Sequence, residues 1–169
     1  MNQNMDVYTY FKENAKNSKA ANVWLRSVEA LARGGVKTMS ELAKIESDVD
    51  FIRHFIDFES PGKELDDEGY DFASKMRAKY SRDTRKAQLL AAGEVLIEEY
   101  FSEHAPLDAP KGATARASSS LRRSGVETMR QLAETSPSTI ARIHNIGSKT
   151  LAVALDMREK YAIELRVES

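Results

Sequence analysis

The chain is expected to be all-α, with two tandem compact helical units joined by a connecting helix. Three observations predict this. A nine-residue stretch occurs twice, as GVKTMSELA at 35–43 and GVETMRQLA at 125–133, differing at three positions. Helix-start signals recur in both copies. No segment alternates apolar and polar residues between hairpin turns, the signature of a half-buried strand.

The repeat extends past the shared stretch. Arg26 and Arg116, and Leu31 and Leu121, stand at the same offset of 90. Downstream, MRAKY at 76–80 matches MREKY at 157–161 at an offset of 81, so the first copy holds nine extra residues between its matched ends. These matches predict units over 1–80 and 111–169, with 81–110 connecting them.

Local signals place the elements in order. The first fifteen or so residues, with Val7, Tyr8, Tyr10 and Phe11, are expected to form a short helix docked on the first unit. Thr38 with Glu41, and Thr128 with Gln131, fit capping boxes, in which the hydroxyl accepts from an early amide and the later side chain reaches back. Gly35 and Gly125 sit where a preceding helix can end in a left-handed turn. Ser47 with Asp50 marks a further helix start in the first copy. Ser136-Pro137 marks one in the second, with proline at the first helical position. Trp24, Tyr8, Tyr70, Phe51 and Phe55 are expected to fill the first core. Between the units, Ser81 to Phe101 predicts a connecting helix, with Ser81 as its cap and Leu90, Ile97 and Phe101 at helical spacing. HAPLDAPKGA, 104–113, has two prolines and a glycine and predicts a linker.

Composition narrows the class. Among 169 residues there is no cysteine, so disulfides and thiol chemistry are excluded. No apolar stretch approaches the roughly 20 residues that span a bilayer, and the polar start carries no signal-peptide core. These features predict a soluble, cytoplasmic protein without a membrane partner. The net charge of −1 hides an asymmetry. Residues 41–71 hold eleven acids against three bases, and residues 111–165 nine bases against five acids, which predicts different partners for the two halves.

The stretch IARIHNIGSKTLAVAL, 140–155, carries the functional signal. Ile140, Ile143, Ile146, Leu151 and Leu155 can form one apolar stripe across two helices. Asn145-Ile146-Gly147 is the turn between them, and Asn tolerates positive φ better than most residues. This is the helix-hairpin-helix pattern, with Asn in place of the usual first glycine. The turn puts the amides of Gly147, Ser148 and Lys149 at a helix N-terminus. Amides there lack intrahelical acceptors and sit at the positive end of the helix dipole. With Lys149 beside it, such a terminus suits a phosphate. The structural alternative is that Gly147 is only a helix C-cap.

The wider pattern sharpens this. RASSSL (116–121), VETMRQL (126–132), NIGSKTL (145–151) and ALDMREKYAIEL (154–165) resemble the C-terminal domain of the bacterial RNA polymerase alpha subunit. That resemblance implies a domain that binds the minor groove of A/T-rich duplex DNA and touches sigma factor and activators. Carried over, Arg116 matches the groove-inserting arginine and Arg142 the basic residue before the turn. Asn145, Gly147, Lys149 and Thr150 match the turn. Ser119 and Ser148 stand where the family has an asparagine and a lysine, and Ala162 where it has a glycine. Ser119 and Ser148 are kept in the expected DNA surface. A narrow A-tract groove concentrates negative potential and favours arginine. Phosphate contacts of this kind position a protein without reading bases.

The first copy keeps Arg26 in register, but FESPGKELDDEGY, 58–70, replaces the basic turn. Gly62 and Lys63 are a remnant of it, and Glu64, Asp66, Asp67 and Glu68 would repel a DNA backbone. The first copy is therefore expected to bind DNA weakly or not at all, and to serve as a protein platform or carry a solvated acidic loop. The acids lack the ligand spacing of a calcium loop. His54 lies in an apolar run and is expected to be structural; His144 precedes the turn. No nucleophile has an activating neighbourhood, so neither catalysis nor a cofactor is expected. The alternatives are a protein-interaction module docking on RNA polymerase, sigma factor or a regulator, and an RNA binder or an accessory to a nucleic-acid enzyme using the same turn.

Overall fold

A computed structural model describes residues 5–15, 21–56 and 65–167 of the chain. These residues form ten helices and no strand: α1 (Val7–Asn14), α2 (Ala21–Arg33), α3 (Met39–Ala43), α4 (Asp48–Arg53), α5 (Asp67–Ala91), α6 (Ile97–His104), α7 (Ala113–Arg123), α8 (Met129–Glu134), α9 (Pro137–Ala141) and α10 (Ser148–Val167). The all-α expectation holds. None of the described helices is long and apolar enough to cross a membrane.

The chain divides into two compact units, residues 1–87 and 88–169. In the first, Phe11, Leu31, Met39, Leu42, Phe51 and Phe55 form the centre of the core. In the second the centre is Ile97, Phe101, Leu121, Met129, Leu132, Ile140 and Met157. Burying each such side chain stabilises the fold by about 1.5–3 kcal/mol relative to leaving it in water. Phe51 and Phe55 sit in the core as expected, and Trp24 and Tyr70 pack against it. Tyr8 does not: it is exposed, and meets Trp24 edge-on with ring centroids 5.2 Å apart.

The local signals behave as the sequence predicts. Both capping boxes close, at Thr38–Glu41 and Thr128–Gln131. Ser47 accepts from the Asp50 amide, and Ser136 caps α9 with Pro137 in its first turn. Gly35 and Gly125 have φ of +83° and +88°.

The expected connecting helix over 81–101 is not one helix. Ser81 is no cap but lies inside α5, where Lys79 and Asp83 pair across a turn and Tyr80 packs on Tyr10. That helix ends at Ala91, Gly93 takes the left-handed conformation at φ +74°, and α6 begins at Ile97. Residues 105–112 form a loop between α6 and α7, inside the second unit, so they are not a linker between units.

Helix α6 is instead the counterpart of α1. In the first unit the Val7 amide donates to Lys37 O (3.0 Å) and the Met39 amide to Met5 O (2.9 Å). At an offset of 90, the Ile97 amide donates to Glu127 O (3.1 Å) and the Met129 amide to Val95 O (2.8 Å). Each pair pins the start of one helix to the capping threonine of another, as isolated bridges Asp6–Thr38 and Leu96–Thr128. Val7, Tyr10 and Phe11 are buried, as are Ile97, Tyr100 and Phe101. Both units thus carry the same succession of five helices.

Candidate nucleic-acid interface

In the second unit α10 packs on α7, α8 and α9. Arg158 fastens this arrangement. Its Nε donates to Leu132 O (3.2 Å) and Thr135 O (3.1 Å), and its Nη2 to Ala133 O (2.8 Å). A cation there adds a charged donor to carbonyls at the C-terminal end of α8, where the helix dipole favours positive charge. Arg158 belongs to the base-rich half of the sequence, but its work is structural. Arg122 pairs with Glu98 and Arg130 with Glu94, which also removes them from an open basic face.

Between α9 and α10 the chain turns at Arg142–Gly147. Arg142 ends α9 with a right-handed backbone. Asn145 takes φ +65°, the one left-handed non-glycine among the described residues. Ile140 is fully buried, and Ile143, Ile146, Leu151 and Leu155 pack against the same core, so the apolar stripe forms. Its burial turns the polar side outward: Arg142, Asn145, Gly147, Ser148 and Lys149 are all exposed.

Gly147 is not a left-handed C-cap; that conformation belongs to Asn145. Gly147 instead stands immediately before α10 and supplies the carbonyl for its first turn, accepting from the Leu151 amide and the Thr150 hydroxyl, both at 2.8 Å. A Cβ built on it would meet no atom within 4 Å. Neither backbone conformation nor space inside the chain requires glycine here. Thr150 is buried with its hydroxyl turned to Gly147, so its side chain is not a surface contact.

Arg116 lies exposed on α7. Its Nε donates to Gly112 O and its Nη2 to Lys111 O, both at 3.1 Å, in the left-handed turn that starts its own helix. Ser119, one turn on, is half-buried. The preceding loop (Pro106, Asp108, Ala109, Pro110) faces Ser148, Lys149, Ala152, Val153 and Asp156 across an open groove of about 570 Å³. Asp108 and Asp156 make the groove unfavourable to a deep anion, so an anion would sit at its rim by Lys149. Arg116, Arg142 and Lys149 form no ion pair among the described residues.

The first unit builds the same region differently. Arg26, at the position of Arg116, grips Asp66 in two places: Nε to Oδ2 at 3.1 Å and Nη2 to Oδ1 at 3.2 Å. Its Nη2 also donates to Glu68 (3.2 Å). The Asp66 carboxylate accepts from the Gly69 amide in the first turn of α5 (3.0 Å). The Arg26 hydrogen bonds, and then the Gly69 amide, hold this carboxyl below its ordinary value of 3.8 against the opposing effect of burial. Gly62, Lys63 and Glu64 lie outside the described residues. His54 is structural, as expected: its ring rests on Gly34, and burial lowers its pKa.

Among the described residues no group of three histidine, aspartate or glutamate side chains gathers as metal ligands would. No protein family, curated protein or solved structure matches the chain.

Proposed function

We propose that the second unit is a non-catalytic DNA-binding module acting in transcription, in a soluble, cytoplasmic setting, as the resemblance to the RNA polymerase alpha C-terminal domain implies. One observation carries the reading. The start of α10 is exposed at Ser148 and Lys149, follows a glycine that the chain's own packing does not require, and is flanked by Arg142 and Lys149 without acidic partners. In this reading a backbone phosphate sits on the Ser148 and Lys149 amides, with Arg142 and Lys149 beside it, and Arg116 leaves its resting carbonyls for the minor groove. Asn145 sets the turn. Thr150 holds Gly147 rather than the ligand. Ser119 lies on the Arg116 face.

Fluorescence anisotropy on A/T-rich and G/C-rich duplexes across a salt series tests this. Affinity should fall with salt as counterions are released. Arg116→Ala should cost about 1–3 kcal/mol and erase the A/T preference, and Lys149→Ala should reduce the salt slope by about one. The absence of binding at low salt, with both variants folded, refutes the reading.

A second reading, docking on RNA polymerase, sigma factor or a regulator, draws on the end of α10. Ile163 and Val167 are exposed there, and Pro137, Leu155, Ala162 and Ile163 border an open groove of about 370 Å³. Exposed apolar surface of this kind suits a protein partner.

A further inference from the structure

The two units treat the same position in opposite ways. At an offset of 81, Asp67 and Ser148 both open the long closing helix, Ala73 and Ala154 are both fully buried, and Tyr80 matches Tyr161. Asp66 therefore corresponds to Gly147, Glu68 to Lys149 and Gly69 to Thr150. In the first unit a carboxylate bridges Arg26 and the helix's first turn. In the second, that carboxylate is missing, and the matching arginine rests on backbone carbonyls.

Gly69 supports the assignment independently. It is buried near the start of a helix, where glycine costs about 0.5–1 kcal/mol relative to alanine. A Cβ on it would lie 2.5 Å from Asp66 Oδ2 and 2.8 Å from its Cγ. The missing side chain makes room for the carboxylate. The Ser27 hydroxyl, donating to Gly69 O at 3.0 Å, holds that turn in place.

We infer that Asp66 is a resident anion: with Glu68 it occupies Arg26 and the first turn of α5, closes that position of the first unit to phosphate, and leaves a single nucleic-acid grip of this kind among the described residues. This rests on the proposed function of the second unit and sets its valency. An Arg–carboxylate pair with two parallel hydrogen bonds is the geometry that guanidinium also uses on phosphate. A phosphate reaching Arg26 must displace that pair and overcome the Glu68 charge.

The test uses the full chain. Asp66→Asn/Glu68→Gln removes both charges while Asn keeps an acceptor for the Gly69 amide. Asp67→Asn/Asp71→Asn, on exposed acids of the same helix, controls for net charge. Two-dimensional amide NMR with added sulfate reads the site without DNA. The Gly69 amide should stay still in the natural protein and in the control, and move with sulfate in the Asp66 variant. A Gly69 amide that responds equally in all three overturns the inference, whatever the second unit does. With an A/T-rich duplex, Arg26→Ala in the natural protein should leave affinity within about twofold, whereas Arg116→Ala lowers it roughly tenfold or more. Equal losses from the two arginines would show two open grips and overturn the inference. Loss of DNA binding altogether would instead sink the reading of the second unit, with the sulfate result still deciding the role of Asp66.

Discussion

Replacing Gly147 by Asp gives the second unit the residue type that the first has at the matching position. Glycine is not needed here for space, and its φ is outside the left-handed region. The folded unit should therefore accept the change. Aspartate at a helix N-cap exceeds glycine by a few tenths of a kcal/mol, and a negative charge at the helix start adds about 0.3–1 kcal/mol. The sum is a gain of about 0.5–1.5 kcal/mol, or roughly 2–12 °C in Tm for a unit of this size. Binding should move the other way. A carboxylate about 4 Å from a phosphate repels it by about 1 kcal/mol in bulk water and about 4 kcal/mol near a protein surface. The expected loss of DNA affinity is then about fivefold to several hundredfold. Thr150, standing where the first unit has Gly69, bars the new carboxylate from the pose of Asp66, because a Cβ there would crowd it. The expectation accordingly rests on charge at the helix start rather than on copied geometry. Calorimetry and anisotropy on one sample decide it. A variant that melts higher and binds as tightly as the natural protein refutes the phosphate site. A variant that loses more than about 1 kcal/mol of stability refutes the account of Gly147.

Three further outcomes test the scaffold. Gly34→Ala should destabilise the first unit by about 1–3 kcal/mol in chemical denaturation, because the new Cβ would fall 1.8 Å from His54 Nδ1; His54→Ala in the same chain should relieve most of the loss. That packing also carries a pH signature. Burial lowers the His54 pKa, so the neutral ring's contribution is present above the ordinary value of 6.5 and is lost as pH falls through it toward the folded value. His54→Gln should flatten that part of the stability profile. Arg158→Ala should cost about 1.5–3 kcal/mol and speed amide exchange through α8, since three carbonyls lose their charged donor.

What the sequence reveals is mostly what acts within a few residues. The capping boxes at Thr38 and Thr128 close because donor and acceptor are three residues apart. Asn145 is legible as a left-handed turn because few other side chains tolerate it. The pairing of α1 with α6 is harder to see. VYTYF at 7–11 and IEEYF at 97–101 share only their tyrosine and phenylalanine, and both helices are fixed by backbone bonds to residues some thirty positions away. Ser81 misleads for the converse reason: its hydroxyl resembles a cap, but Tyr80 is buried and carries α5 straight through. In the candidate site, the turn and its exposed cations follow from periodicity. The closure of the first unit does not, because Arg26 and Asp66 are separated by 40 positions. An acid inside an acidic run gives no sign of which base it meets. Gly69 is the one local clue, a glycine in the first turn of a helix with no turn to make.

The bond between the residues before α6 and the start of α8 also governs where the chain can be divided. A fragment beginning at 111, where the internal repeat suggests a border, would discard Ile97, Tyr100 and Phe101. It would cut the Met129 amide from Val95 O and the Tyr100 hydroxyl from Glu164, its acceptor at 2.8 Å. Two aromatic rings of this kind each cover about 150–250 Å², and their removal would open Leu121 and Met129 to water. A fragment meant to keep this core must begin ahead of Val95, and a shorter one trades a closed core for a sticky surface that would mimic binding in any assay.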